Sequence, residues 1–188
     1  VVLKALDSLP VPAALKTNAM NEISDMRSKG YVPTSEEAVI YLERMKDTAA
    51  LQPLNMVQPL LKIKPANLHS TPFAQLTALG AIPSGAYTNE GWTALQRIFL
   101  APDSSLFGLE EIDYVATGGG LLMIKEAVNQ DINGFPGILR VKKSDSNSST
   151  TELTWATSKK IYRLSTNRDL AGGTPTDEFL ALARSIHE

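Results

Sequence analysis

Six short runs rich in β-branched and aromatic residues crowd the second half of the chain, at 95–100, 112–116, 121–128, 138–143, 151–157 and 160–166. Turn-formers separate them: Pro102-Asp103-Ser104, Gly118-Gly119-Gly120, Asn133-Gly134, the polar stretch 145–149 and Ser158. Short links between consecutive strands permit only antiparallel pairing, so the pattern predicts an antiparallel meander. Leu139 and Val141 alternate with Arg140 and Lys142, Leu153 and Trp155 with Glu152 and Thr154, and Tyr162 and Leu164 with Arg163. Such alternation gives a sheet with one apolar face and one wet face. A closing helix suits the apolar side: Thr176 is the expected N-cap, Asp177 and Glu178 complement the first-turn dipole, and Phe179, Leu180, Leu182, Ala183 and Ile186 make a stripe. Trp155 and Tyr162, on neighbouring strands, can meet beneath that stripe.

The first quarter is helical in pattern. Pro12 suits a first turn, Leu15, Ala19, Ile23 and Met26 recur along one face, and Gly30 supplies a left-handed stop. Thr34 and Glu37 have capping-box spacing ahead of Ala38, Tyr41, Leu42, Met45 and Ala49, and Pro53 ends that second helix. Two helices on so short a link pack antiparallel. Residues 53–70 carry Pro53, Pro59 and Pro65 and predict an extended connector with a short strand at 57–63. Thr71-Pro72 opens a short helix stopped by Gly80, and the turn-formers of 83–91 make a loop. The whole predicts one domain, 1–188: a helical hairpin (1–52), a connector with a short helix (53–91), then an antiparallel sheet and C-terminal helix (92–188). Helices first, strands next and a helix last place it in the α+β class, a curved antiparallel β-meander covered on one face by helices.

Composition excludes several function classes. Eighteen Lys and Arg against twenty Asp and Glu leave a net charge of −2, so no global field draws the chain to nucleic acid or anionic lipid. There is no cysteine, which removes disulfides, thiol nucleophiles and thiolate metal sites. Nothing approaches the ~18 consecutive apolar residues of a membrane span. The sequence begins at Val1, so a processed or trimmed N-terminus is the expectation.

No catalytic constellation stands out. His69 and His187 have no second ligand at helical spacing. Ser84-Gly85 lacks the flanking glycine of a nucleophile elbow, and Gly118-Gly119-Gly120 lacks the lysine of a phosphate loop and predicts a hairpin turn. Asp131-x-Asn133-Gly134 and Asp145-x-Asn147-x-Ser149 lack the full ligand set of a calcium loop and predict tight turns. Glu110 and Glu111 are adjacent on a strand and point to opposite faces, so they cannot form an acid–base pair. No cofactor or metal is expected. The regional anomaly is basic: residues 136–168 hold seven Lys and Arg against two acids. Arg140, Lys142 and Arg163 should share the polar face of the sheet. With Tyr87 and Trp92, beside the 83–91 loop, they are the candidate ligand- or partner-binding residues. No aromatics interleave with the cations, which disfavours nucleic acid.

From Glu110 onward the chain carries Ile112-Asp113-Tyr114-Val115, Leu121-Leu122-Met123-Ile124, Asn133-Gly134-Phe135-Pro136-Gly137-Ile138-Leu139, Glu152-Leu153-Thr154-Trp155, Ile161-Tyr162-Arg163-Leu164, and a final Asp177-Glu178-Phe179-Leu180-Ala181-Leu182-Ala183-Arg184-Ser185-Ile186. This stretch, 110–186, resembles an uncharacterised extracytoplasmic domain of bacterial anti-sigma factors and related exported proteins. The resemblance implies a curved antiparallel sheet similar to lipoprotein-carrier domains, with a helix across its concave side. It also implies an extracytoplasmic location (periplasmic, secreted or surface-anchored) and a non-enzymatic role, and it carries over no catalytic residue. It leaves the helical segments at 13–51 unexplained.

The leading expectation is therefore a non-catalytic exported binding or regulatory module for a protein or envelope ligand. One rival is a carrier of a lipid or other apolar ligand, which a continuous apolar cavity would favour. A second is a hydrolase whose carboxylates, such as Glu111, Asp113 or Asp131, converge only in the fold. A third is an inhibitor acting through an exposed loop at 83–91 or 102–108.

Overall fold

The alternation of the second half is realised as strands in the computed structural model, which describes residues 1–116, 118–171 and 174–187. In chain order the elements are β1 (Val2–Lys4), α1 (Ala13–Lys29), β2 (Val32–Pro33), α2 (Glu36–Val39), α3 (Tyr41–Lys46), α4 (Leu54–Val57), β3 (Thr77–Thr88), β4 (Gly91–Leu100), β5 (Leu106–Asp113), β6 (Leu122–Ile124), β7 (Gln130–Ile132), β8 (Phe135–Lys143), β9 (Ser149–Ala156), β10 (Lys160–Thr166) and α5 (Thr174–Arg184). The class is α+β, with a large antiparallel sheet that stays open.

Two antiparallel meanders, β3-β4-β5 and β8-β9-β10, build the sheet, and β5 pairs with β10 to join them. The expected unbroken succession is thus interrupted once. Gly118–Gly120 do not close a hairpin: β6, which replaces the longer strand expected at 121–128, pairs in parallel with β1 outside the main sheet.

Pairing register sorts the side chains. Leu109, Leu153, Trp155, Tyr162 and Leu164 share one face and pack with Phe179, Leu182 and Ala183 of α5 and with Ile186 just beyond it. Trp155 and Tyr162 are register partners, stacked with ring centroids 5.1 Å apart and planes 13° apart. The opposite face is not wholly wet, however. Leu42 of α3 packs there against Ile98 and Leu106, a second and smaller cover. Thr176 lies inside α5, where its hydroxyl donates to the Leu170 carbonyl at 2.8 Å, so it is not the N-cap.

The N-terminal half departs most from expectation. α1 runs from Pro12 to a left-handed Gly30 (φ 77°), as its flanking residues dictate. It buries only Ile23, and Leu15 is 56% exposed, so its apolar stripe is not a core face. The second helix breaks at Ile40 (φ −89°, ψ 9°) and stops at Asp47. The β-branched pair Val39-Ile40 sits at the break, where crowding against the preceding turn weakens a helix. Ser35, with no side-chain cap bond, takes the N-cap place expected of Thr34. Glu36 accepts instead from Ser146 (2.5 Å) and Ser148 (3.1 Å) in the β8–β9 turn. β2 stands between α1 and α2 and pairs with β8, so these helices form no simple hairpin.

Three further expectations in 53–91 are corrected. Residues 57–63 hold no strand: α4 and a 3-10 turn occupy 54–60. The helix expected to run to Gly80 is a 3-10 turn, Pro72–Gln75. The 83–91 loop is the end of β3 and the start of β4, which makes β3 an edge strand of 12 residues. Gly80 and Gly85 serve bulges between Ala78 and Gly80 and between Ser84 and Tyr87, while Pro83 stays in register with Leu95.

Neither sheet edge is bare. Gln52 bridges β3 through both backbone bonds of Ala81 (2.8 and 3.0 Å). Along β8, β7 covers 135–137, the Asn129 side chain bonds both the N–H and the carbonyl of Leu139, and Thr34 donates to Lys143 at 2.9 Å.

Candidate ligand-binding site

Residues 52–76 arch over the β3–β4 end of the apolar face. Four attachments hold the arch. Its start is pinned by the Gln52 bridge. Lys62 then donates to the Trp92 carbonyl at 2.9 Å. Gly91 permits that approach: it has φ +116°, and a Cβ there would lie 2.5 Å from the Leu60 carbonyl oxygen. Ala66 is held by both its backbone groups, as described below. Finally Thr71 caps the 3-10 turn by accepting from Phe73 N–H at 3.3 Å, with Pro72 at the first position. That turn drives Phe73 inward, where it is 2% exposed and meets Phe99 of β4 with centroids 5.3 Å apart.

Under the arch lies a cavity of about 730 Å³. Leu54, Leu68, Phe73 and Leu76 form the arch side of its wall, and Ala81 and Phe99 the sheet side. Lys64, Asn67, His69 and Ala74 are exposed rim residues, so the space opens to solvent. Its volume falls in the range of small-molecule sites, ~300–1,000 Å³. Among the described residues no carboxylate lines it.

Two cationic side chains line it, Lys64 at the exposed rim and Arg97 inside. Arg97 of β4 is 5% exposed and shares its face with Leu95 and Phe99. Its Nη2 donates to Glu111 Oε1 at 2.5 Å, and its Nη1 donates to the Ala66 carbonyl at 3.2 Å. Glu111 of β5 is fully buried. Its Oε2 accepts from Ala66 N–H at 2.9 Å and from Lys160 Nζ at 3.4 Å. Lys160 also donates to the Lys64 carbonyl at 2.6 Å. Burial pushes the Arg97 guanidinium below its ordinary value, while the Glu111 charge and hydrogen bond pull it back up; at neutral pH it is a cation. Arg97 Nε is buried and has no hydrogen-bond partner among the described residues. The cluster holds two cations and one anion.

The residues singled out from sequence lie elsewhere. Arg163 meets Glu110 at 2.6 Å and Glu152 at 3.8 Å, Lys142 meets Glu152 at 3.2 Å, and Arg140 reaches Glu22 at 3.9 Å. They do share the polar face, and each has an acidic neighbour. Tyr87 is 71% exposed and edge-on to half-buried Trp92 at 5.3 Å, at the β3–β4 hairpin. That hairpin is four strands from the β8 that bears Arg140 and Lys142. Glu110 and Glu111 take opposite faces, as their adjacency requires. Asp113 Oδ1 accepts from Ala116 N–H, and Asp131 Oδ1 accepts from Gly134 N–H, both at 2.8 Å in turns. Neither lines the cavity.

Sequence reasoning missed Arg97 as a site residue and treated Glu111 only as a carboxylate. A signal was present. Arg97 is flanked at two residues on either side by Leu95 and Phe99, and Glu111 follows Leu109 with the same parity. Opposite charges embedded in two apolar stripes mark a buried pair. No family model, curated protein or solved structure matches the chain.

Proposed function

We propose that this chain is a non-catalytic binding module that houses an apolar small ligand beneath the 52–76 arch. The observation that carries the reading is the solvent-reachable cavity of about 730 Å³, walled by aliphatic and aromatic side chains. Of the functions weighed from sequence, this is the apolar-ligand carrier. The extracytoplasmic setting implied by the resemblance belongs to the same proposal. A space of this kind, left to water alone, would hold solvent against apolar wall, and an apolar occupant removes that contact.

Nile red, a neutral apolar dye that brightens on leaving water, provides the test. Titrated into the protein it should give saturable, blue-shifted emission with one site per chain. Ala78 is exposed, lines the cavity and pairs with Phe99, so Ala78→Trp fills the space at little cost to the fold. The variant should keep its melting temperature and lose the dye. Equal binding by Ala78→Trp, or no saturable emission from the parent chain, would reject the reading.

A further inference from the structure

We infer that the ligand is a single-chain amphiphile whose anionic, oxygen-bearing head lies against Arg97, with a long-chain carboxylate as the type. This rests on the apolar-cavity reading and specifies its polar end. Three observations carry it. First, Arg97 is the one buried polar side chain of the lining, the others (Gln58, Lys64, Asn67 and His69) being exposed at the rim, so the inner end offers a ligand one polar group to meet and an apolar wall for a tail. Second, that point is a buried cation: Arg97 is 5% exposed, it lines the cavity, and Nη1 and Nη2 donate one bond each, to the Ala66 carbonyl and to Glu111. A guanidinium carries five N–H donors and two are engaged here, so it can still donate to an oxygen delivered by the ligand. Third, the polar cluster of Arg97, Lys160 and Glu111 keeps one uncompensated positive charge, and Lys64 adds another at the rim. A carboxylate head completes that balance, a neutral head satisfies the hydrogen bond alone, and a cationic head meets repulsion.

A chain-matched series separates these cases without altering the protein. Palmitate, hexadecanol and hexadecyltrimethylammonium present the same sixteen-carbon tail behind an anionic, a neutral and a cationic head. Each would compete with bound Nile red on the intact chain, below its micelle concentration. Palmitate should displace the dye at a concentration about 10-fold below hexadecanol, the ratio expected of one charge-assisted hydrogen bond, with the quaternary ammonium weakest. Equal displacement by all three would overturn the Arg97 anchor and leave the apolar cavity standing. Displacement by none, with no dye bound, would overturn the cavity reading itself. Arg97→Lys keeps a cation beside Glu111 and removes the guanidinium's planar fork of donors. It should abolish the palmitate preference while hexadecanol still competes, and a retained preference would overturn the assignment. If that variant does not fold, the parent series decides the question alone.

Discussion

Arg97 and Glu111 show how far a buried pair differs from a surface one. Both are desolvated, so the pair persists only because Ala66 and Lys160 supply further bonds. The arch therefore depends on charge as well as on apolar packing, because Ala66 is held by both partners at once. Glu111→Leu leaves Arg97 buried without its counter-charge and frees the Ala66 N–H. It should cost about 3–5 kcal/mol, read from the urea midpoint. The double change Arg97→Met with Glu111→Leu should cost less than Glu111→Leu alone, because it removes both charges together. An unchanged midpoint in Glu111→Leu would contradict this account. The cations read from sequence as a docking face belong to a different regime. Arg163 and Lys142 are partly solvated and sit beside Glu110 and Glu152, where an ion pair contributes only ~0–1 kcal/mol.

At the scale of elements, the arch is attached where side chains are missing. Gly91 combines a left-handed backbone with backbone contact to Leu60 and Lys62, so Gly91→Ala adds both strain and a clash. That substitution should cost about 1–3 kcal/mol in thermal melts and weaken Nile red binding. Unchanged melting and unchanged binding would show that the contact is dispensable. The same residues explain what the sequence concealed. β10 and β9 were legible because the alternation of Tyr162-Arg163-Leu164 and of Glu152-Leu153-Thr154-Trp155 admits one register on an apolar core. α1 was legible at both ends from Pro12 and Gly30. β3 was not, because Gly80, Pro83, Ser84 and Gly85 are turn-formers by composition. Here Gly80 and Gly85 serve bulges and close approach: a Cβ on Gly80 would sit 3.1 Å from the Gln52 carbonyl oxygen. The cavity was hidden for a related reason. Its arch carries no periodic pattern, and its position depends on backbone bonds to Ala81 and Trp92 that no local signal announces.

Across the whole molecule, stability is unevenly shared. The largest buried cluster joins β5, β9, β10 and α5 with the inner side of the arch, whereas α1 buries only Ile23, outside that cluster. Opening free energy should follow that gradient. In native-state hydrogen exchange the amides of α1 should exchange well before those of β5, β9 and β10, and the arch should fall between. Exchange of α1 in step with the central strands would show that the N-terminal segment is part of the cooperative core. The covered rims of the open sheet have a separate consequence. A rim with a free row of donors and acceptors invites a strand from a second molecule, the first step toward fibrils. Here one rim is claimed by Gln52, broken by bulges and interrupted by Pro83, which has no N–H to give, and the other is claimed by β7, Asn129 and Thr34. A sheet that never closes into a barrel is thereby kept from growing sideways at high concentration.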